Sequence, residues 1–287
     1  MTDSIQRFLF KDLDIRGQHL NIHQAWQKMI EDRHYPPALT QILGELTAVA
    51  IMLANGMKHQ GKVSIQVQGS GPVHLMVVQV THSLGIRGVA KTNRTLTTQS
   101  GLDALLGDGQ ILVTLENTQT QHFFQSYVPR EANTITEAFE NFLSQSEQLP
   151  SKLWLAATDQ AIGGVLIQKM PTTDHHDPDG WERISHLSHT VKPAELIDCD
   201  AATLLHRLFH EETVECFAAE TVQYDCPQDI ENVETMLKSL GETEVRQILA
   251  DEGEVVIHNE MCGKHFRFNK SDVDRIFAEP NQTQQQH

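Results

Sequence analysis

Met261-Cys262-Gly263-Lys264-His265-Phe266 has the form of half a zinc knuckle. A knuckle draws two thiolates from one tight turn, with a glycine behind the second so that the backbone can fold over the ion. The glycine is present, but Asn259 stands three residues before Cys262, where the other thiolate would be. A second lone thiol lies upstream in Asp225-Cys226-Pro227-Gln228. The frame is that of a four-sulfur site with two of its sulfurs. Four thiolates bind zinc and oxidise in pairs, whereas two can make at most one disulfide. His258 and His265 flank the turn, and Cys226 and Cys262 with these two imidazoles would be a legitimate zinc set.

The other reactive side chains carry less. Cys199 and Cys216 lie among Asp198, Asp200 and Glu215, whose charges oppose thiolate formation, so both read as incidental. His206 and His210 are spaced i, i+4 and precede Glu211-Glu212, but a metalloprotease helix needs its glutamate between the histidines. Asp174 to Gly180, with His175 and His176, reads as a solvated linker. No phosphate loop, nucleophile elbow or paired carboxylates stand out, so an enzyme is not expected.

The elements that must position these residues fall into three stretches. Residues 1–171 read as an α+β body with largely antiparallel sheet and packed helices. Short strands are expected at Arg7–Phe10 and Ile15–Leu20, then a helix through Leu43–Leu53, apolar on most sides, placed against a sheet and stopped at Asn55-Gly56 by a left-handed pair. Val63, Ile65 and Val67 alternate with polar residues, and Gly69-Ser70-Gly71-Pro72 turns that strand back into Val73–Val78. Further strands are expected at 86–90, 111–115, 154–157 and 164–168. Thr134-Ile135-Thr136-Glu137 opens a helix with Ile135, Ala138, Phe139, Phe142 and Leu143 on one face.

Residues 172–222 read as an acidic helical linker whose short helices depend on docking for their order. Its strong apolar cluster is Leu204, Leu205, Leu208 and Phe209, which by itself reads as core. Residues 223–279 read as a small zinc-ribbon-like unit. Two helices lead to a hairpin around the Cys262 turn, and a last helix is capped by Ser271. Residues 280–287, rich in Gln, read as a disordered tail.

Charge is partitioned along the same lines. The net charge is −16. Residues 1–171 account for −1, residues 172–222 for −8 and residues 223–287 for −7. This balance excludes nucleic acid and anionic membrane surfaces as expected partners. The N-terminus lacks the basic and apolar regions of a signal peptide, and Leu46–Ala54 is far shorter than a membrane span. A cytoplasmic location is expected.

Several segments together carry a resemblance. Leu43-Gly44-Glu45-Leu46, Gln66-Val67-Gln68-Gly69-Ser70-Gly71-Pro72, Arg87-Gly88-Val89-Ala90 and Ser146-Glu147-Gln148-Leu149 before Leu153-Trp154 resemble the bacterial redox-regulated holdase chaperones of the heat-shock protein thirty-three family. So do Gly163–Pro171, Leu208-Phe209-His210-Glu211-Glu212 and Cys262-Gly263-Lys264-His265-Phe266-Arg267-Phe268. The resemblance spans about residues 6–277. It implies an α+β body, a metastable helical linker and a C-terminal zinc domain. Its Cys-x-Cys and Cys-x-x-Cys pairs bind zinc when reduced. Their oxidation releases the zinc, unfolds linker and lid, and exposes a surface for unfolded client proteins. In a holdase of this kind Leu204, Leu205, Leu208 and Phe209 would be core that can be uncovered as that surface, with the surrounding acidic charge keeping the loaded complex soluble. A homodimer on activation is also implied.

This chain departs at the switch. Gln228 and Asn259 stand where that family has its second and third cysteines, and neutral amide oxygens substitute poorly for thiolate toward zinc. Neither family disulfide can form. Three readings of Cys226 and Cys262 stand open: a crossed disulfide holding the small unit shut, a zinc set shared with His258 and His265, or two inert thiols. The expected function is an ATP-independent holdase with an impaired redox and zinc switch; the alternative is a zinc-dependent enzyme or metal-binding regulator.

Overall fold

The computed structural model describes residues 2–92, 101–129, 133–146, 148–171, 177–225 and 230–278. The chain divides into two compact units, Met1–Asp225 and Cys226–His287.

In the first unit, β1 (Ser4–Phe10) and β2 (Ile15–Ile22) lead to α1 (Gln24–Ile30) and the long α2 (Pro37–Gly56). A meander follows: β3 (Gly61–Gln68), β4 (Val73–Thr81) and β5 (Gly85–Thr92). Then come α3 (Leu102–Leu106), β6 (Gln110–Asn117), β7 (His122–Val128), α4 (Ile135–Ser146), β8 (Ser151–Ala157) and β9 (Ile162–Lys169). Helices α5 (Gly180–Ser188), α6 (Pro193–Asp198) and α7 (Ala201–Phe209) precede three short strands, β10 (Val214–Cys216), β11 (Glu220–Thr221) and β12 (Gln223–Tyr224). One sheet has the order β10-β1-β2-β9-β8, with β11 also on β1, and the other runs β12-β5-β4-β3-β6-β7. The described pairings are antiparallel except β12 on β5, so the expected α+β class with largely antiparallel sheet holds.

Helix α2 is the hub because its sequence is apolar nearly all round, as a helix buried between two sheets must be. It packs against strands of both sheets, and Leu39, Leu43, Leu46, Ala48, Ala50 and Ile51 are wholly buried. Its length of 20 residues and the apolar character of an 18-residue window within it would suffice to cross a membrane, which the shorter stretch Leu46–Ala54 did not suggest. Burial against the two sheets accounts for that composition. The helix also ends differently from expectation. It runs through Gly56, and Met57 leaves it at φ −70°, ψ 137°, with its N–H donating to Ala54 O at 3.1 Å. The last turn is closed by that bond, so no left-handed residue is needed.

The second unit, taken by itself, consists of α8 (Ile230–Leu240), α9 (Glu242–Glu252), the hairpin β13 (Val255–Asn259) and β14 (Lys264–Phe268), and α10 (Lys270–Ala278). Leu237, Val245, Val255, Phe268, Val273 and Ile276 form its core. Gly241, at φ 97°, separates α8 from α9. The start of α10 corrects the expected Ser271 cap. Asn269 Oδ1 accepts from the N–H groups of Ser271 and Asp272, and Asp272 Oδ2 accepts from Asn269 N–H at 3.0 Å. This reciprocal box begins two residues earlier, because Asn269 directly follows the strand and meets the orphan N–H groups first. The Gln-rich stretch 280–287 lies outside the described residues.

Candidate functional site

The turn between β13 and β14 is built from its ends inward. The register pairs Asn259 with Lys264 and His258 with His265. Gly263 takes φ +67°, a conformation that a side chain would strain. The N–H of Cys262 donates to both the backbone oxygen and Oδ1 of Asn259, each at 3.3 Å. The amide at the position of the missing thiolate thus closes the turn from within. His258 and His265 sit on the opposite face of the hairpin from Asn259 and are exposed. Their rings stack, with centroids 4.4 Å apart and planes at 13°.

This donor set does not suit zinc as it stands. Cys262 is disulfide-bonded, and a disulfide sulfur has no thiolate to offer. The two imidazoles face each other instead of converging on the turn. Among the described residues no group of three or more His, Cys, Asp or Glu side chains gathers as a metal site. Cys226 and Gln228 lie outside the described residues. Cys199 and Cys216 are free, the first buried and the second exposed. Partial desolvation raises the pKa of the Cys216 thiol although the residue is exposed, which disfavours its thiolate. His206 and His210 are both exposed.

The apolar linker cluster has a definite place in the first unit. Leu204, Leu205, Leu208 and Phe209 are all buried on α7 and pack with Phe8, Phe10, Ile15, Val165 and Ile167 of the first sheet. The rings of Phe10 and Phe209 meet edge to face at 5.0 Å. Asp200 caps α7, its Oδ1 accepting from Thr203 N–H at 2.8 Å. Helix α6 comes so close to β9 that a Cβ on Gly163 would lie 2.1 Å from Leu196 O. Asn21 Nδ2 donates to the carbonyls of Leu196 and Ile197 at the end of the same helix. Beyond α7, β10 and β11 pair along the outer edge of β1.

This layer forms an apolar cluster of its own, distinct from the core around α2. Beneath it lies a group that sequence reading missed. His19, on β2, is 3% exposed, and its Nε2 has no hydrogen-bond partner among the described residues. Burial lowers its pKa to about 4, against a weaker upward pull from Asp200 and a hydrogen bond with the backbone of Cys199. A neutral imidazole is thus held under the acidic layer. The signal was hidden because only the strand pairing turns His19 toward the layer. Strand β7, with Phe123 and Tyr127 each more than 60% exposed, also went unseen.

Known proteins place these features in context. A family profile described as Hsp33 protein matches residues 3–269. The chain is 36% identical over 280 residues to a 33 kDa chaperonin of Methylobacillus flagellatus, covering 97% of this chain and 95% of that one. It is 36% identical to the 33 kDa chaperonin of a Shewanella strain, covering 96% of each, and 36% identical to that of Chromobacterium violaceum, covering 96% and 94%. Its fold is similar to the crystal structure of the 33 kDa chaperonin, a heat shock protein 33 homologue, of Thermotoga maritima. The TM-score is 0.80 at 18% identity, covering 96% of this chain and 98% of that one. Profile and full-length relatives agree, and the chain belongs to the Hsp33 family.

Proposed function

We propose that this Hsp33-family chaperone is an ATP-independent holdase of the cytoplasm, binding unfolding or oxidatively damaged client proteins and keeping them from aggregating. Residues 1–171 are its body, 172–222 its releasable linker and 223–279 its lid. The observation that carries this reading is the separateness of the two apolar clusters in the first unit. Undocking α5–α7 would uncover Phe8, Phe10 and Ile167 together with the linker's own Leu204, Leu205, Leu208 and Phe209, while the core around α2 stays closed. Unfolded chains would bury apolar surface against that face. Its acidic surroundings and the net charge of −16 suit a soluble complex better than one with nucleic acid or membrane. A homodimer on activation is part of this reading.

The trigger differs from the four-cysteine scheme. With amides at 228 and 259, the lid forgoes on the order of 10 kcal/mol that a structural zinc supplies. It relies instead on its own core and on a Cys226–Cys262 disulfide. Supporting that pairing, Cys262 is disulfide-bonded while Cys199 and Cys216 are free, and the chain has four cysteines. Hydrogen peroxide would form the bond by taking two electrons and two protons from the two thiols and leaving as two waters. The crossed bond joins the two halves of the old site and holds the lid shut. Oxidation therefore no longer opens the molecule, and heat alone does.

The test compares suppression of aggregation of a heat-denatured client by the reduced and the peroxide-treated protein. The peroxide-treated protein is expected to protect no better than the reduced one, and strict dependence on oxidant would overturn the impaired switch. Thiol mapping by mass spectrometry after peroxide should recover a Cys226–Cys262 peptide.

A further inference from the structure

The first unit encloses a cavity of about 550 Å³ that the covered face does not use. It lies between the C-terminal turn of α2 and the side of β1, β2 and β9 that faces α2, with Phe217 at its rim. Its size falls within the range of small-ligand sites. Met52, Met57 and Met170 give it flexible thioether walls beside Leu143 and Leu166, a lining that reshapes to different apolar occupants.

Two observations restrict the chemistry of an occupant. Gln18 Oε1 and Asn55 Oδ1 both belong to this lining and are both buried without a hydrogen-bond partner among the described residues. The Asn55 amide cannot be turned around to hide its oxygen, because its nitrogen donates to Glu220 Oε1 at 2.9 Å. Both oxygens are closed to water, so an occupant reaches them only if the lining shifts, and one with N–H or O–H donors would then satisfy them. In addition, Arg7, Arg16 and Lys58 line the cavity and no Asp or Glu does, in a chain of net charge −16. Glu220 stands beside it, bound to Arg7 at 3.3 Å. Arg16 donates to Gln168 Oε1 at 2.9 and 3.1 Å, so the acceptors of an occupant would meet this positive lining chiefly through Lys58. A fatty-acid anion would leave Gln18 and Asn55 unmet. An extended peptide supplies an apolar side chain, N–H donors and C=O acceptors together.

The chain's own backbone shows how such a peptide would lie. Residues 214–216 add to the edge of β1 as β10, and the N–H of Phe217 then donates to Arg7 O at 2.9 Å. Gln6 Nε2 donates to Phe217 O at 2.7 Å, and the ring, 47% exposed, arrives at the rim without filling the cavity. We propose that the β1 edge and this cavity form a strand-acceptor site, where an extended apolar segment of a client displaces residues 214–221 and seats a side chain beside Gln18 and Asn55. The mode is strand addition with a side-chain pocket. It rests on the holdase reading above and names a surface for it.

The test uses the full-length protein and a ten-residue extended peptide rich in Leu and Phe, carrying an environment-sensitive fluorophore. Phe217→Ala is expected to tighten peptide binding severalfold by removing the resident ring. Met170→Trp fills the cavity from a half-buried position and is expected to weaken binding at least tenfold, and backbone N-methylation of the peptide is expected to do the same. Equal binding to wild type and Met170→Trp, or looser binding to Phe217→Ala, would overturn the site. Displacement of the peptide by dodecanoate at lower concentration than by unlabelled peptide would overturn it in favour of an amphipathic anion. If the protein protects a denaturing client but never binds the peptide, the cavity assignment fails and the holdase reading stands. If it protects no client, both fail.

Discussion

The first sheet is covered on both faces, and the two covers are made differently. One face meets α2, a single helix of 20 residues that also reaches the other sheet. The opposite face meets α5, α6 and α7, with nine, six and nine residues, followed by strands of two or three. Both covers bury leucines completely. The difference lies in connection: removing α2 would dissolve the core shared by two sheets, whereas removing α5–α7 would expose one cluster and leave that core intact. Short helices are also marginal on their own and depend on docking. On the function proposed above, one sheet would carry a permanent layer and a releasable one, which a holdase needs if it is to show apolar surface without unfolding.

The strongest way to break this contrast is a matched pair of truncations. Leu46 on α2 and Leu204 on α7 are each 0% exposed. Removing either side chain should cost about 2–5 kcal/mol at its site. Leu46→Ala is expected to lower the main thermal transition. Leu204→Ala is expected to leave that transition nearly in place, abolish hydrogen-exchange protection of residues 180–209 and raise client protection at ambient temperature. A common fall in the main transition for both variants would mean that the two layers unfold as one.

The sequence was most legible where a single face decides the pattern. The β3–β4 hairpin stands as expected because Val63, Ile65 and Val67 are buried between exposed or half-buried neighbours. The stripe Ile135, Ala138, Phe139, Phe142 and Leu143 is the buried face of α4. Strand β7 escaped because its aromatics are exposed on both faces and give no alternation. Strands β10 to β12 are too short to carry a period, and their existence depends on β1 and β5 being present to receive them. The apolar run of α7 was legible as a cluster, but its buried companion His19 was not. Its orientation follows from a strand register that no local pattern encodes.

His19 sharpens the contrast through pH. Its native pKa of about 4 lies below the ordinary value of 6.5, so the folded state binds fewer protons than the open one between those limits. Stability contributed by the neutral form is full above about pH 6.5 and is lost as pH falls toward 4. The cost is about 2 kcal/mol by pH 5 and about 3 kcal/mol in full. If the layer undocks as proposed, the ring is hydrated without unfolding the sheet, and the proton would act on that cover. Exchange protection of residues 180–209 should fall between pH 7 and 5 while that of α2 holds. His19→Gln should flatten the dependence; an unchanged slope would place the sensor elsewhere. Asp177 and Asp200 titrate below the ordinary carboxylate range, held down by hydrogen bonds with Arg183 and with Thr203 respectively, so their effects belong to more acidic conditions.

The mildest probe compares helix caps on the two sides. Thr134 Oγ1 accepts from Glu137 N–H at 3.2 Å at the start of α4, and Asp200 Oδ1 accepts from Thr203 N–H at 2.8 Å at the start of α7. Loss of either cap should cost about 1 kcal/mol. The expected destinations of that energy differ. In α4 the cap belongs to a helix whose Phe139 and Phe142 sit in the main core, so Thr134→Ala should shift global denaturation slightly. In α7 the same loss falls on a cover whose opening leaves the main core closed. Asp200→Ala should therefore raise the population of the open layer roughly fivefold and leave global denaturation where it was, since 1 kcal/mol is about a fivefold change in an equilibrium. The variant also removes the carboxylate that favours protonation of His19, so its neutral ring should persist to lower pH. More opening at neutral pH together with a pH response moved to lower values would be hard to obtain from a cap alone or a titrating group alone, and ties both to the same hinged surface.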